Sequence, residues 1–279
     1  MRTNPTQTTL YRPQTSFKSC SRYYLSSVSS NFTRYSQQNI YTTTRILREH
    51  INWNEFVDYF IENFKDKPKV NIYSLGCSDG SEPYSYAIAI ISKLEKTQIG
   101  KFFPILASDI DSEVIEAANS GRINLDQDDF TAIENFIQAN KYNPNNLDKS
   151  SFFKKIGDPL KIKNDKHAEP EYHSIYNPLN SYAPIGNLKN SVKFYCSDIL
   201  TEVNKINDEG NTIINASHVL GYCSNIYIDN VLNSLSRKLK PGSIFVYDNF
   251  FNTPEFKNKL KALGFFFPKA NMCFAQKLI

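Results

Sequence analysis

Residues 70–94, with the sequence VNIYSLGCSDGSEPYSYAIAIISKL, contain a short apolar run, a glycine-bounded turn and an apolar helical stretch in immediate succession. The apolar run at 70–75 predicts a buried strand, and Pro83 suits the first turn of the helix that follows. Gly76 and Gly80 let the backbone bend and approach a ligand without an intervening Cβ atom. A strand, glycine turn and helix in this order present backbone N–H groups to a nucleotide-like ligand.

The rest of the chain continues the alternation of strands and helices. Such alternation predicts an α/β fold with a doubly wound, mostly parallel sheet. The predicted strands are residues 70–75, 104–110, 192–196, 212–216 and 243–247, with a closing antiparallel pair at 265–267 and 272–277. The predicted helices are residues 53–64, 82–95, 112–119, 130–139, 225–239 and 254–263.

Two segments depart from this pattern. Residues 1–38 are polar, and the chain has no Asp or Glu before Glu49, so we predict a basic, flexible N-terminal arm ahead of a domain at 39–279. The arm is either a solvated tail or a contact for an acidic protein or nucleic acid. Residues 140–190 are rich in Asn, Lys and Pro, and we predict an insertion at about 130–190 that is a small subdomain or a long excursion, with short β pieces at 152–153 and 172–176.

Composition narrows the class of protein. The chain has 279 residues, a formal net charge of +4 and five cysteines without a CxxC pair. Neither a disulfide framework nor a zinc site is expected, and a reducing, cytoplasmic location fits best. No apolar run approaches the length of roughly 18 residues that predicts a membrane span. No pair of histidines has metal-ligand spacing, so we predict no metal.

In a doubly wound sheet the ligand binds at the carboxyl ends of the strands. After the first strand come Asp79 and Glu82. Carboxylates repel a pyrophosphate, but they suit a cationic amine or sulfonium, which favours S-adenosylmethionine over a dinucleotide. The alternative is a solvated turn followed by an acidic first helical turn that the helix dipole stabilises.

Later strands are also followed by chemically useful side chains. Asp109, after the second strand, is a candidate to hold two ribose hydroxyls, while Asp111 is a candidate helix N-cap. After the third strand, Asp198 is a candidate acceptor for the adenine amine, with Ile199 against the ring.

Three polar residues follow the fourth strand. They are Ser217, which we assign to the cofactor site, His218 and Tyr222. His218 is either a general base near neutral pH or a hydrogen-bonded structural residue.

Several blocks resemble the CheR family of chemotaxis receptor glutamate methyltransferases. GCSDGSEPYSYAIAI resembles the family's GCSTGEEPYSIAM signature, and ASDIDSEVIEAANSG resembles its ASDIDTxVLExAxxG block. YCSDIL stands at the family's NLL segment, LSRKLKPGSIFV resembles LKPGGYLF, and TTTRILREH resembles NxTxFFRE more weakly. Ser217 and His218 stand where the family has Arg-Asn.

The resemblance implies a class I methyltransferase (Rossmann-like) fold with a small β subdomain before the third strand. It implies methyl transfer from S-adenosylmethionine to a protein glutamate or another acceptor, with Arg48 and Tyr222 near the reaction. A non-catalytic regulatory or binding module is the alternative, and the absence of an Asn-Pro-Pro-Tyr-like motif after the fourth strand argues against a nucleic-acid substrate. The implied cofactor contacts are Gly76, Ser78, Glu82, Asp109, Asp198 and Ile199.

Overall fold

A computed structural model describes residues 45–48, 51–140, 143–159, 180–269 and 272–278. The described residues, all of which lie between 39 and 279, form one compact unit. The predicted arm at 1–38 and the predicted β piece at 172–176 lie outside the described residues.

Ten strands form two sheets within the described residues. They are β1 (Asn71–Leu75), β2 (Ile105–Asp109), β3 (Ile123–Leu125), β4 (Phe153–Gly157), β5 (Asn180–Pro184), β6 (Val192–Cys196), β7 (Thr212–Asn215), β8 (Ile244–Val246), β9 (Phe265–Phe266) and β10 (Phe274–Lys277). The main sheet has the order β6-β2-β1-β7-β8-β10-β9. Neighbouring strands from β6 through β8 are parallel, while β10 runs antiparallel to β8 and β9. The predicted doubly wound sheet with a closing antiparallel pair is confirmed.

The sheet reverses its winding direction at β1. From β1 the chain crosses to β2 on one side, and after β6 it returns to place β7 on the other side of β1. The loops that follow β1 and β7 therefore diverge and leave a crevice at the carboxyl ends of these two strands. This crevice is where the fold itself places a ligand.

Eight α-helices cover the main sheet and its insertion in the described part of the chain. They are α1 (Trp53–Asn63), α2 (Ser81–Lys93), α3 (Lys96–Ile99), α4 (Ser112–Asn119), α5 (Gln127–Ala139), α6 (Ile199–Lys205), α7 (Asn225–Lys238) and α8 (Pro254–Ala262). Asn52 caps α1 by accepting from the Glu55 N–H. Asp111 caps α4 by accepting from the Glu113 N–H, as the sequence predicts. No helix within these residues is long and apolar enough to cross a membrane.

Helix α2 is central to the packing. Every residue from Pro83 to Ser92 is buried, because α2 lies between the sheet, α1 and α5. The aromatic side chains of α1 seal its outer side, where Trp53 and Phe56 stack edge-on against Tyr86. The glycine turn that opens α2 is thereby fixed on a rigid support.

The small sheet has the order β3-β5-β4, with antiparallel pairing throughout. Its strands are inserted between α4 and β6, ahead of the third strand of the main sheet, as the resemblance implies. The sheet includes β3, which lies before the predicted start of the insertion at residue 130. A three-residue strand is too short to show a period in the sequence, and only its pairing with β5 identifies it.

Candidate active site

The turn between β1 and α2 is clamped to the end of β2. The N–H groups of Gly76 and Cys77 both donate to the Ser108 carbonyl, at 2.7 and 2.9 Å. Gly76 has φ +74° and Gly80 has φ +94°, in the left-handed region that favours glycine. The turn therefore has one defined shape at the mouth of the crevice.

Neither glycine has room for a side chain. A Cβ atom on Gly76 would lie 2.4 Å from the Val219 side chain, and one on Gly80 would lie 2.8 Å from the Phe194 ring. These two neighbours belong to the loop after β7 and to strand β6. The turn thus packs directly against the segments that border the crevice on either side.

We predict that Gly76→Ala lowers the free energy of unfolding by about 2–4 kcal/mol, because a left-handed φ and an overpacked contact both add cost. Gly121→Ala is the matched control, since Gly121 has φ +71° but open space around its Cβ position. Urea denaturation should show a loss of only about 1 kcal/mol for the control. Equal losses for the two variants would mean that the Val219 contact has no energetic weight.

Ser78 lies at the centre of the turn in a strained conformation. Its φ is +48°, and its N–H donates to Asp109 Oδ2 at 2.9 Å. Its hydroxyl oxygen is buried and has no hydrogen-bond partner among the described residues. A buried hydroxyl of this kind costs free energy unless a ligand group satisfies it, so Ser78 is a suitable ligand contact.

Glu82, in the first turn of α2, has an unusual carboxyl group. Burial raises its pKa to about 7, while the positive charge of Arg48 and the polar side chains of Asn215 and Ser74 oppose that rise. The Ser74 hydroxyl donates to Glu82 Oε2 at 3.4 Å. A carboxyl that is half-ionised at neutral pH favours a cationic ligand, because the cation recovers the cost of ionising it.

Arg48 comes from the segment that precedes α1. Burial lowers the pKa of its guanidinium, and the negative charges of Glu82 and Asp79 act against that shift. The guanidinium remains protonated at neutral pH, because arginine starts from such a high value. Arg48 therefore brings a fixed positive charge to the acidic turn, within electrostatic range of Tyr222.

Asp109 ends β2 as predicted. Its Oδ2 accepts from the Ser78 N–H at 2.9 Å and its Oδ1 accepts from the Asp111 N–H at 3.0 Å. Burial raises the pKa of the carboxyl, and these backbone donors counteract the rise. Each carboxylate oxygen retains further acceptor capacity, so two adjacent hydroxyl groups of a ligand can bind to it.

Asp198 and Ile199 lie at the start of α6. Asp198 caps this helix through the Thr201 N–H at 3.0 Å and also accepts from the Tyr227 hydroxyl at 2.5 Å. Ile199 is buried beside the loop after β6. Tyr227 is a site residue that sequence reasoning missed, because it lies on the buried side of α7 and only the fold brings it to Asp198.

The residues after β7 border the crevice from the other side. The Ser217 hydroxyl donates to Asn215 Oδ1 at 2.8 Å. His218 has φ +57° and its backbone N–H donates to Asp248 Oδ2 at 3.2 Å. Asp248 follows β8 and, like Asn215, is a supporting residue that the sequence did not single out.

His218 and Tyr222 differ in their electrostatic surroundings. Partial burial and the nearby charge of Arg48 lower the pKa of His218 to about 4. His218 still keeps part of its surface open to solvent, and Tyr222 has 46% of its surface exposed. Tyr222 thus presents its hydroxyl at the outer edge of the site. The His218 ring, with its lowered pKa, is neutral at pH 7.

The structure places the predicted residues of the turn, β2 and the β7 loop around one crevice. Glu82, Asp79 and Arg48 interact electrostatically at its centre, and Ser78 and Asp109 are joined by a hydrogen bond. Within the described part of the chain, no group of three or more His, Cys, Asp or Glu residues has a geometry that would hold a metal ion.

Comparison with known proteins finds a similarity over part of the chain. The family model for the CheR methyltransferase, SAM binding domain, matches residues 42–156. A curated relative from Rhizobium etli, "Probable chemotaxis protein methyltransferase", is 32% identical over 100 residues, which are 36% of this chain and 34% of the relative. The match therefore spans about a third of the length of that relative.

Solved structures show a more distant likeness. Magnesium protoporphyrin IX methyltransferase from Synechocystis PCC 6803 with bound SAM has a TM-score of 0.40 and 11% identity, covering 96% of this chain and 100% of that chain. The cyclase SpnF has a TM-score of 0.38 and 13% identity, covering 77% of this chain and 58% of that chain.

The residues present fit S-adenosylmethionine, which the family match gives as the cofactor. The glycine turn admits a close ligand, the buried Ser78 hydroxyl needs a partner, and the carboxylates of Glu82 and Asp109 suit a cationic group and a ribose. The sheet order is that of the predicted class I methyltransferase fold. Residues 42–156 therefore match the SAM-binding domain of the CheR methyltransferases in sequence, and the fold and the site residues of this part of the chain fit that cofactor.

Proposed function

We propose that the protein transfers a methyl group from S-adenosylmethionine to a carboxylate oxygen of a protein acceptor, with a glutamate side chain as the acceptor group. The observation that carries this proposal is Arg48, a partly buried cation beside the acidic cofactor turn. When bound, S-adenosylmethionine supplies a methyl group activated by its positively charged sulfur. The protein's part is to bring an acceptor oxygen in line with that group.

Arg48 supplies what a carboxylate acceptor needs. A carboxylate is ionised at neutral pH, and its negative charge must be held near the carboxylates of Glu82 and Asp79, which repel it. A guanidinium pairs with a carboxylate through two parallel hydrogen bonds, which fixes orientation as well as position. Tyr222, exposed at the edge of the same site, offers a further hydroxyl donor.

His218 supports the choice of acceptor. A hydroxyl or amine acceptor requires a general base whose pKa lies near the working pH. The lowered pKa of His218 makes its ring a weak base, because Arg48 and partial burial both disfavour the protonated form. An acceptor that is already ionised requires no base. We therefore assign His218 a structural role beside Arg48. The hydrogen bond from its backbone N–H to Asp248 fixes its backbone there.

The remaining residues form the cofactor side of the proposal. Glu82 holds the cationic end of S-adenosylmethionine, and Asp109 holds the ribose hydroxyls. The buried hydroxyl of Ser78 forms a hydrogen bond with the same ligand. Asp198, Ile199 and Ser217 border the rest of the cofactor. A non-catalytic binding module is not favoured, because the family match extends over Arg48 as well as the cofactor turn.

The proposal is tested by methyl-labelled S-adenosylmethionine with the purified protein and protein extract from the source cells. Methyl esters hydrolyse in mild alkali and release volatile methanol, whereas N-methyl and ether linkages survive. We expect protein-bound label that alkali releases as methanol, and none with heat-inactivated protein. Label that resists alkali would show a different acceptor, and no transferred label would contradict methyl transfer to proteins.

We predict that Asp109→Asn weakens S-adenosylmethionine binding by about 10-fold or more, because a carboxylate that accepts two ribose hydrogen bonds contributes about 1.5–3 kcal/mol per charged bond. The variant also places an amide N–H beside the N–H of Ser78 or Asp111. Titration calorimetry gives the affinity, and Asp111→Asn, which alters a neighbouring helix cap, is the control. Unchanged affinity for Asp109→Asn would refute the ribose assignment.

A further inference from the structure

Residues 45–48, the segment that carries Arg48, are held by buried side chains of two helices, α2 and α5. We call it the lead-in segment. The Ile46 N–H donates to Asp129 Oδ1 at 3.1 Å, and the Leu47 N–H donates to Ser85 Oγ at 2.7 Å. The side chains of both residues are buried in the main core. The backbone is thus fixed directly before Arg48.

The contact at Asp129 is part of a larger arrangement at the N-terminus of α5. Asp126 and Asp129 form a reciprocal capping box, in which each carboxylate accepts the other residue's N–H, at 3.1 and 3.0 Å. Both side chains are buried. Arg45 reaches the same helix end, with its guanidinium 3.3 Å from Asp126 and 3.4 Å from Asp128. One carboxylate oxygen of Asp129 therefore accepts a hydrogen bond from the N-cap of its own helix, and the other accepts one from the lead-in segment.

The lead-in segment needs this restraint. Leu47 has φ +51°, an unfavourable conformation for a branched side chain, which persists only where surrounding contacts impose it. Beyond it, the Arg48 carbonyl accepts from the Trp53 indole N–H at 3.0 Å. Contacts on both sides of Arg48 thus determine where its side chain starts.

We propose that Asp129 is a positioning residue for Arg48, which it holds beside Glu82 and Asp79 through the Ile46 N–H. This inference rests on the proposed function, in which Arg48 holds the acceptor carboxylate. It also connects two parts of the fold. Helix α5 begins two residues after β3 ends, so the small sheet is joined through Asp129 to the cation of the acceptor site.

The test compares Asp129→Asn with Glu134→Gln at pH 8. Glu134 lies on the same helix but pairs with Lys149 rather than with the lead-in segment, so this variant is the control. Burial raises the pKa of Asp129 above its usual range, and the charges and N–H groups that face it belong to Asp126, Arg45 and Ile46. Asparagine places an N–H against one of the two N–H donors and loses that bond. Trp53 is the chain's single tryptophan, so fluorescence quenching by acrylamide reports on the contact with the Arg48 carbonyl.

We expect acrylamide quenching of Trp53 to rise at least twofold in Asp129→Asn and to stay unchanged in Glu134→Gln. Phenylglyoxal modification, located by peptide mass mapping, should be at least fivefold faster at Arg48 and unchanged at Arg122. Unchanged quenching and unchanged Arg48 reactivity in a folded Asp129→Asn protein would overturn the proposal. If that variant does not fold, amide exchange in the unmodified protein decides, and an unprotected Ile46 N–H would also overturn it.

These measurements need neither cofactor nor acceptor, so the positioning role and the proposed function fail separately. Where methyl transfer is observed, Asp129→Asn should raise the acceptor KM at least tenfold without changing the affinity for S-adenosylmethionine. A fall in cofactor affinity instead would place the defect in the cofactor turn and contradict the positioning role.

Discussion

Arg48→Ala should reduce the rate of alkali-labile methyl transfer by about 10²–10³-fold, the range that loss of one electrostatic contact to a reacting group typically produces. The reason is local repulsion. Without the guanidinium, an acceptor carboxylate would approach a site lined by Glu82 and Asp79 with no compensating cation. Affinity for S-adenosylmethionine should change by no more than about threefold, because Arg48 is assigned to the acceptor.

Two companion variants separate charge from geometry. Arg48→Lys keeps the positive charge but loses the paired donors of the guanidinium, so we expect an intermediate rate. Arg237→Ala removes an arginine from the end of α7 and should leave the rate unchanged. Arg48→Ala with full activity would contradict the assignment of the acceptor site.

Glu82→Gln should weaken S-adenosylmethionine binding at pH 7.5 by about 10-fold or more and remove its dependence on pH. Burial raises the pKa of Glu82 to about 7 in the free protein. A cationic ligand binds the ionised carboxylate, so protons compete with the ligand as the pH falls through 7. The wild-type Kd should therefore increase by about 10-fold between pH 7.5 and pH 6.

The direction of this effect follows from linkage. Binding lowers the pKa of Glu82, so protons are released when the ligand binds near pH 7. Calorimetry in two buffers with different ionisation enthalpies measures that release directly. Glu116→Gln, at an exposed position on α4, is the control and should keep the wild-type pH profile. A wild-type affinity that is flat between pH 6 and pH 7.5 would contradict the role of Glu82.

The glycine turn and the doubly wound, mostly parallel sheet were predictable because they depend on local pattern. An apolar strand followed by Gly76 and Gly80 has few structural interpretations, and the alternation of strands and helices restricts how the sheet can be wound. The same local logic predicted the cap at Asp111, which the structure confirms.

Contacts between distant residues were not predictable in this way. The pairing of Tyr227 with Asp198 and of the His218 N–H with Asp248 joins segments about thirty residues apart. The bond from Ile46 to Asp129 spans 83 positions. No local propensity reports such contacts, because they arise only when the completed fold brings the segments together. The sequence identified the acidic residues that the fold brings to the crevice, but not the distant residues that contact the segment carrying Arg48.

Titration calorimetry of the unmodified protein with S-adenosylmethionine at pH 7.5 is the most direct test of the central claim, that the turn at residues 76–82 and Asp109 form a cofactor site. The predicted result is saturable binding at one site per chain, with protons released on binding as the pH is lowered towards 7. Absence of binding at millimolar S-adenosylmethionine would contradict the cofactor site and the methyl transfer that depends on it.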